Sequence, residues 1–347
     1  MPGIASEVKS PALQQSWETH VADYVIRLAF SPDKQALAAA CLGGPIHLLE
    51  PATGRPLLTL PGHDVGTQCL SWSHDGRFLA SGGQDGRVRV WNPASGQLLH
   101  DLPAGSAWVE QVAFAPDRLL FVSAAGRHLK LWNADGACLQ TYPPHPSTIS
   151  DVQWQHSAPF FTSAAYGQLA TFCPDSPEPV RTFPWKGSIL TIAWSPDDSY
   201  VATGNQDASV HFWYRKTGKD LEMSGYPVKV RELAWDAGSR YLATGGSAVV
   251  IVWDCGGKGP AGSRPIELDR HDTPITALRY QHEGALLASG CRGGLVCVWN
   301  PRKKTTPLRE SILDGEVTQL CWAPGDRSLA AGSARGMVRM FVPAVNS

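Results

Sequence analysis

The feature that most constrains this chain is a repeat that returns every 40 to 46 residues along most of its 347 residues. Each copy carries an aromatic side chain in its first part, at Phe30, Trp72, Phe114, Trp154, Trp194, Trp235, Tyr280 and Trp322. A second large apolar residue follows in each copy, at Leu49, Trp91, Trp132, Phe172, Trp213, Trp253, Trp299 and Phe341. A repeat of this size cannot bury its apolar faces alone, so neighbouring copies must stack and share a core.

Within each copy, the pattern predicts short antiparallel strands rather than helices. Apolar and polar residues alternate in segments such as Val88-Arg89-Val90-Trp91, which indicates a strand with two different faces. Proline and aspartate recur between these segments, as in Ser195-Pro196-Asp197, where type I turns favour them. No apolar pattern with a helical period survives the dense glycine and proline punctuation, so the sequence predicts an all-β fold.

The second copy shows the repeat most completely. It reads GHDVGTQCLSWSHDGRFLASGGQDGRVRVWN and contains His63, Ser81, Asp85 and Trp91. A period of about 40 to 45 residues with G-H and W-D-like marks is the signature of WD40 repeats. The chain therefore resembles the WD40-repeat β-propeller family over nearly its whole length. With eight diverged copies, the resemblance implies a single eight-bladed β-propeller of four-stranded antiparallel blades, and seven blades, the commoner number, are the alternative.

The spacing of the copies also predicts how the ring closes. The last copy reaches Phe341 and Val342 without a fourth strand of its own, and residues 13–19 stand where the first copy requires a preceding strand. An uncompleted blade would leave an unpaired edge. We therefore expect an N-terminal tail over residues 1–12, a propeller over 13–343 whose strand 13–19 completes the last blade, and a C-terminal tail over 344–347.

The four polar and aromatic residues of the second copy admit two interpretations. Ser81, His63 and Asp85 could form a nucleophilic triad, but no G-x-S-x-G turn accompanies them. The favoured interpretation is a structural tetrad, in which His63, Ser81, Asp85 and Trp91 form one buried hydrogen-bond chain that joins neighbouring strands. Other copies keep only parts of this set, such as His145 with Ser163 or His271 with Ser289, and Trp185 replaces the histidine in the fifth copy.

The sequence contains no convincing cofactor or metal motif. Gly257 to Gly262 matches the letters G-x-G-x-x-G, but the phosphate-binding motif must open a helix, and Pro260 and Pro265 interrupt this segment. The eight cysteines show no C-x-x-C spacing, and the eleven histidines show no H-x-x-x-H spacing. We expect no cofactor, no metal and no enzymatic activity, although a metal site assembled between blades stays open at this stage.

Charge and hydropathy limit the kinds of binding partner and the cellular compartment that we expect for this protein. The formal net charge is −1, from 30 Lys+Arg against 31 Asp+Glu, which argues against general nucleic-acid binding. The first residues lack the apolar region of a signal peptide, and no stretch approaches the ~18 apolar residues of a membrane span. We expect a cytoplasmic protein, monomeric by itself, that does not bind membranes.

The favoured function is a non-enzymatic scaffold that binds one or more proteins through one rim of the propeller. In WD40 proteins the residues four and six places before the first aromatic, together with the turn between the second and third strands, face this rim. Carried over to this chain, the candidate binding residues are Tyr24, Ile26, Gln68, Gln84, Trp108, Glu110, Leu190, Gln206, Lys229, Arg231, Arg292 and Glu316. Trp108 is either an apolar anchor, since tryptophan is enriched in interface hot spots, or a local plug of its own loop. The alternative is that these are ordinary loop residues around a water-filled channel.

Two other functions compete with the scaffold. Eight-bladed propellers also include quinone-cofactor dehydrogenases, but these should carry a signal peptide and metal-binding carboxylates near the axis. An RNA-binding propeller would use basic residues such as Lys229, Arg231 and Arg292. Fold alone does not decide among these functions.

Overall fold

The fold is a ring of eight antiparallel sheets. The structure is a computed structural model that describes residues 13–157, 159–257 and 259–343. These residues form 32 strands and no helix, arranged as eight four-stranded sheets, each of which is one blade. The residues expected as tails, 1–12 and 344–347, lie outside the described residues.

The strands follow one another as simple meanders within each blade. The first half of the ring contains β1 (Leu13–His20), β2 (Val25–Phe30), β3 (Leu37–Cys41), β4 (Ile46–Leu49), β5 (Pro56–Leu60), β6 (Thr67–Trp72), β7 (Leu79–Gly83), β8 (Arg87–Trp91), β9 (Leu98–Pro103), β10 (Val109–Phe114), β11 (Leu120–Ala125), β12 (His128–Asn133), β13 (Cys138–Thr141), β14 (Asp151–Trp154), β15 (Phe161–Ala165), β16 (Gln168–Phe172) and β17 (Pro179–Pro184). The second half contains β18 (Ile189–Trp194), β19 (Tyr200–Asn205), β20 (Val210–Tyr214), β21 (Asp220–Met223), β22 (Leu233–Trp235), β23 (Tyr241–Thr244), β24 (Val249–Asp254), β25 (Ile266–Asp269), β26 (Ile275–Tyr280), β27 (Leu287–Cys291), β28 (Leu295–Trp299), β29 (Arg309–Ile312), β30 (Val317–Trp322), β31 (Leu329–Ser333) and β32 (Met337–Pro343).

The first strands of the blades form the inner wall of the ring. Blades one to seven start at β2, β6, β10, β14, β18, β22 and β26, and blade eight has the order β1-β32-β31-β30. Each first strand contacts the first strand of the next blade, and β30 contacts β2. Second strands such as β3 and β7 are buried throughout, whereas fourth strands such as β9 are partly exposed at the outside. The predicted eight-bladed propeller is confirmed.

The N-terminal strand completes the last blade, as the spacing predicts. β1 pairs antiparallel with β32 from Leu13 opposite Pro343 to His20 opposite Met337, with one irregularity between Gln15 and Trp17. The strand is therefore one residue longer than the expected 13–19. An ion pair of 2.7 Å between Arg339 and Glu18 adds to this pairing.

Trp17 also connects the closing strand to blade one. Its indole N–H donates to the carbonyl of Pro51 at 2.9 Å, and only 9% of the residue is exposed. Gly54 lies against the indole ring with a φ of 75°, and a Cβ at this position would come 2.4 Å from the ring. Only glycine accommodates both the left-handed backbone and the close approach of the ring.

The repeating first-strand aromatics join neighbouring blades. Four of their indole groups donate to a backbone carbonyl of the preceding blade, in the pairs Trp72–Ala29, Trp154–Ala113, Trp235–Ala193 and Trp322–Arg279. These bonds are 2.9 to 3.1 Å long. Trp194 differs, because its buried Nε1 has no hydrogen-bond partner among the described residues. The interface between blades four and five therefore lacks a bond that several other interfaces possess.

The closing strand gives a direct test of ring stability. We expect Trp17→Ala to lower the free energy of unfolding by about 3 to 5 kcal/mol, since it removes a buried ring and an inter-blade hydrogen bond. Denaturant unfolding followed by tryptophan fluorescence measures this change. The matched control is Ser16→Ala, an exposed position on the same strand, which should change stability by less than about 0.5 kcal/mol. Equal stability of both variants would contradict closure through Trp17.

Candidate functional site

The tetrad of blade two is present as a hydrogen-bond chain. His63 Nδ1 lies 3.0 Å from the carboxylate of Asp85, and His63 Nε2 lies 2.9 Å from Ser81 Oγ. The indole N–H of Trp91 donates to the same Ser81 oxygen at 3.0 Å. His63 and Ser81 are both buried. The set joins the loop before β6 to β7 and β8, which is the geometry of a structural network.

Two other blades keep the central part of this chain. His145 contacts Ser163 at 2.7 Å in blade four, and His271 contacts Ser289 at 2.7 Å in blade seven. In both cases, the second ring nitrogen, Nδ1, is buried without a partner among the described residues. Neither blade therefore has an equivalent of Asp85, which binds the second ring nitrogen of His63 in blade two.

Blade six contains a tetrad variant that the sequence analysis missed. Tyr226 stands nine residues before Trp235, the position that His63 occupies before Trp72. Its hydroxyl lies 2.7 Å from Thr244 Oγ1 and accepts the indole N–H of Trp253 at 2.9 Å. A phenol therefore takes over the bridging position, because one hydroxyl can donate one hydrogen bond and accept another.

Blade five has lost the network. Trp185 occupies the histidine position, and its ring lies 4.0 Å from that of His211, centroid to centroid. The hydroxyl of Thr203 and the Nε1 of Trp185 are buried without hydrogen-bond partners among the described residues. At these tetrad positions, contact between the rings of Trp185 and His211 stands in place of the hydrogen-bond chain.

The tyrosine in blade six can be tested by removing one oxygen. Tyr226→Phe should lower the free energy of unfolding by about 1 to 3 kcal/mol, because it removes the acceptor of the Trp253 N–H and one of the two hydrogen bonds of the Thr244 hydroxyl. The matched control is Tyr166→Phe, since Tyr166 is 56% exposed. Urea midpoints measure both effects, and a neutral Tyr226→Phe would show that the bridge carries no stability.

Burial also affects the protonation of the tetrad histidines. Burial lowers the pKa of His145 to about 4 and, with a smaller contribution from Arg270, that of His271 to about 4. Burial lowers the pKa of His63 as well, although hydrogen bonding to Asp85 opposes this shift. In the unfolded chain, these imidazoles titrate near pH ~6.5. Between these values, the unfolded state binds more protons, so these histidines make stability fall as the pH falls.

Acidic groups of the channel act in the opposite direction, so the histidine effect is best measured as a difference. Burial raises the pKa of Glu232 to about 7, which makes its contribution to stability fall as the pH rises. We expect His145→Gln to reduce the slope of unfolding free energy against pH by up to about 1.4 kcal/mol per unit between pH ~6 and ~4.5. Denaturant titrations at several pH values measure the slope, with His74→Gln at an exposed position as control. An unchanged slope in His145→Gln would contradict a buried neutral imidazole.

The face that carries the loops between blades and the turns between second and third strands is called the upper face. Ten large apolar side chains are exposed among the described residues. Five of them lie on the upper face: Leu42, Val65, Trp108, Tyr166 and Val228. The other five lie on outer fourth strands. The exposed apolar surface is therefore concentrated on one face and the outer edge.

The central channel brings together five of the predicted binding residues. It has a volume of about 840 Å³, and its wall includes Ile26, Gln68, Glu110, Leu190 and Arg231. These are the residues four places before the first aromatic in five blades. In blades four, seven and eight, the same position is a hydroxyl residue that donates to a carbonyl of the next blade, in the pairs Ser150–Ile189, Thr276–Val317 and Thr318–Val25.

The other seven predicted residues lie around the mouth of this channel or on its outer rim. Trp108 is 51% exposed, and Gln206, Lys229 and Arg292 are also exposed. Tyr24, Gln84 and Glu316 are half-buried. Burial raises the pKa of Tyr24, with a further contribution from the nearby charge of Glu316. Among the described residues, none of the twelve predicted side chains forms a hydrogen bond or ion pair, in contrast to the outer pairs Arg240–Asp254 and Arg270–Glu310.

A charged belt deeper in the channel was not predicted. Arg27, Asp151 and Glu232 stand three places before the first aromatic of their blades, and Arg279 stands one place before it. Asp151 accepts the N–H of Ile192 at 2.8 Å and the hydroxyl of Thr191 at 3.2 Å, so it joins blades four and five. Burial raises the pKa of Asp151 and Glu110 against the influence of Arg27 and Arg231, respectively. The fixed spacing from the aromatic could have identified this belt.

The described part of the chain contains neither a cluster of metal ligands nor a membrane-spanning helix. No group of three or more His, Cys, Asp or Glu side chains there could hold a metal ion. The described residues also contain no helix with the length and apolar character needed to cross a bilayer. The arrangement provides a polar channel with an apolar and charged mouth.

Comparison with known families agrees with this architecture. Residues 24–260 match the family described as IFT122 first beta-propeller, and residues 262–300 match the WD domain, G-beta repeat. The first match covers more than half of the chain, so the chain belongs to this family of WD40-repeat propellers. WD40 propellers are typically non-enzymatic protein-interaction scaffolds.

The similar proteins are mostly much longer. Pre-mRNA-processing factor 19 of Oryza sativa subsp. japonica is 24% identical over 76% of this chain and 52% of its own length. WD repeat-containing protein 90 of Homo sapiens is 28% identical over 66% of this chain and 14% of its own length. The chain thus spans about half or less of these relatives. The crystal structure of the computationally designed Ika8 protein superposes with a TM-score of 0.81 at 23% identity, covering 96% of this chain and 100% of that one, which shows the fold alone.

Proposed function

We propose that this protein is a non-enzymatic scaffold that binds a partner protein through the upper face. The observation that carries the proposal is the group of twelve side chains in the channel wall, at its mouth and on the rim: the ten that could form hydrogen bonds or ion pairs form none among the described residues. Many polar groups inside the fold, such as His63 and Ser150, are instead used in tetrads and inter-blade bonds. The upper face therefore retains unused bonding capacity beside exposed apolar surface.

The distribution of these side chains fits a protein interface. Trp108, Val65 and Leu42 supply exposed apolar area in blades one to three, whereas Lys229 and Arg292 supply positive charge in blades six and seven. Interfaces combine an aromatic or arginine anchor with a polar rim. Because the side chains project from a closed ring of sheets, their positions are fixed before binding, which lowers the ordering entropy that association costs.

The channel wall contributes charges that a partner segment can approach from above. Glu110 and Arg231 come from blades three and six, and the charge of Arg231 opposes the effect of burial on the pKa of Glu110. Both belong to the wall of the 840 Å³ channel. An inserted loop or terminus could therefore meet both an acidic and a basic group. The family typically binds other proteins, which supports the same role.

The proposal predicts that a partner is lost when the upper face is changed without loss of folding. We expect the double variant Trp108→Ala, Arg231→Glu to lose at least about tenfold of a co-purifying protein, since anchor residues contribute about 2 kcal/mol or more each. Affinity purification from the native cell, quantified by mass spectrometry, measures this loss. Melting curves verify that the variant is folded.

A control of the same chemical types separates this face from the rest of the surface. Leu139, 50% exposed on an outer strand, and Lys304, exposed in a loop of blade seven, are changed together as Leu139→Ala, Lys304→Glu. This control should keep every partner that the natural protein binds. If the upper-face variant retains all partners while the control loses them, binding takes place on another surface.

A further inference from the structure

A groove opens between blades four and five on the face opposite the channel mouth. It has a volume of about 670 Å³, within the range of about 300 to 1,000 Å³ that is typical of ligand sites. We call it the inter-blade groove and define it by Val180, Arg181, Trp194, Tyr200, Arg215 and Lys216. None of the twelve predicted binding residues lines it.

The charges around the inter-blade groove have one sign. Arg181, Arg215 and Lys216 line it, and no acidic side chain does. Arg181 donates to the carbonyl of Arg215, and Arg215 donates to Gln155 Oε1 at 3.2 Å, so both guanidinium groups are held by neutral acceptors. None of the three cations forms an ion pair among the described residues, unlike the outer pairs Arg87–Asp101 and Arg339–Glu18. The groove therefore concentrates uncompensated positive charge.

Asp198, a buried acid at the interface of blades four and five, does not line the groove. Asp198 is fully buried, and its carboxylate accepts the N–H groups of His156 and Ser157 at 2.8 Å and the Ser157 hydroxyl at 2.6 Å. These bonds join blades four and five beneath the lining. Its oxygens are thus occupied.

The floor of the groove is apolar and aromatic. Phe183 lies under the guanidinium of Arg181 at 4.8 Å, and Tyr200 and Trp194 complete the floor. Val180 is 54% exposed at the rim, on the outer strand β17. Trp194 is also the first-strand tryptophan whose indole N–H lacks the usual bond to the preceding blade. The groove and the missing bond thus occur at the same interface.

We infer that the inter-blade groove is a second docking surface, for an acidic segment of a partner protein that also carries large apolar residues. The three cations would pair with carboxylates, and the floor and Val180 would cover apolar side chains. A compact phosphate fits less well, because it would leave the aromatic floor and the exposed Val180 uncovered. Cations beside an apolar floor match a segment that combines carboxylates with large apolar side chains. This surface goes beyond the upper-face function and is independent of it.

The test uses a defined probe. A fluorescein-labelled peptide of sequence Glu-Glu-Asp-Leu-Phe-Glu-Asp-Leu-Glu-Glu is titrated with the full chain, and fluorescence anisotropy is recorded. We expect saturable binding that weakens with added salt, as binding between charged groups does. The same peptide with Gln and Asn in place of Glu and Asp should not bind. Absence of binding by the acidic peptide would overturn the inference.

Variants then locate the binding. Lys216→Glu changes an exposed side chain and should weaken the acidic peptide at least about tenfold, the loss expected for a charge-assisted contact. Val180→Ser should also weaken it, through the apolar part. Lys304→Glu is the matched control and should bind like the natural protein, as should Trp108→Ala on the upper face. Equal weakening by Lys304→Glu would reveal general charge attraction and overturn the assigned groove.

Two further measurements complete the test. One compares the peptide with other polyanions, and the other separates the groove from the upper-face function. A single-stranded oligonucleotide, or a vesicle containing a phosphoinositide, that binds more tightly than the peptide and is equally sensitive to Lys216→Glu would overturn the proposed occupant. The proteins that co-purify through the upper face should be retained by Lys216→Glu. Failure of the upper-face experiment therefore leaves this one unaffected, and the reverse also holds.

Discussion

The antiparallel pairing of β1 with β32 holds the ring in one geometry, because it completes blade eight with residues from the opposite end of the described chain. Trp17 fixes the position of β1 relative to blade one. The strand belongs to blade eight, but its indole bonds to Pro51 and packs on Gly54, both of blade one. A single side chain thus links the closing strand to the blade beyond it. The channel, the upper face and the spacing of their residues all require that closure, since they are assembled from blades far apart in sequence.

The sequence was sufficient to predict the eight blades and their closure, because the aromatic positions that mark each repeat have the same structural role in most blades. Trp72 and Trp235 recur at their spacing since each indole donates to the preceding blade. The tetrads were harder to predict. Tyr226 stands at the spacing of His63, but a search by residue type passes over it. What the position requires is a group that forms a hydrogen bond with the strand hydroxyl, as His63 does with Ser81. The phenol of Tyr226 does so with Thr244 and also accepts from Trp253.

The candidate site was predictable in position but not in its chemistry. Spacing placed Ile26, Glu110 and Arg231 at the channel. It could not show that equivalent positions such as Thr318 are occupied by inter-blade bonds. Nor could it show that the charge of Arg231 acts on the pKa of Glu110, because these residues are brought together only when the ring is closed. Local sequence patterns predict the strands and turns of each blade. Which charged residues face one another across the channel depends on how many blades form the ring.

The two proposed surfaces differ in the part of the repeat that creates them. The upper face uses loops and turns, which can vary without changing the strands that support them. The inter-blade groove instead opens where Trp194 lacks its bond to blade four, so it depends on a change within the core pattern itself. Asp198 still fastens the two blades together below it. Two partners would then be held on opposite faces of the ring by separate sets of residues, since none of the twelve residues predicted for the upper face lines the groove.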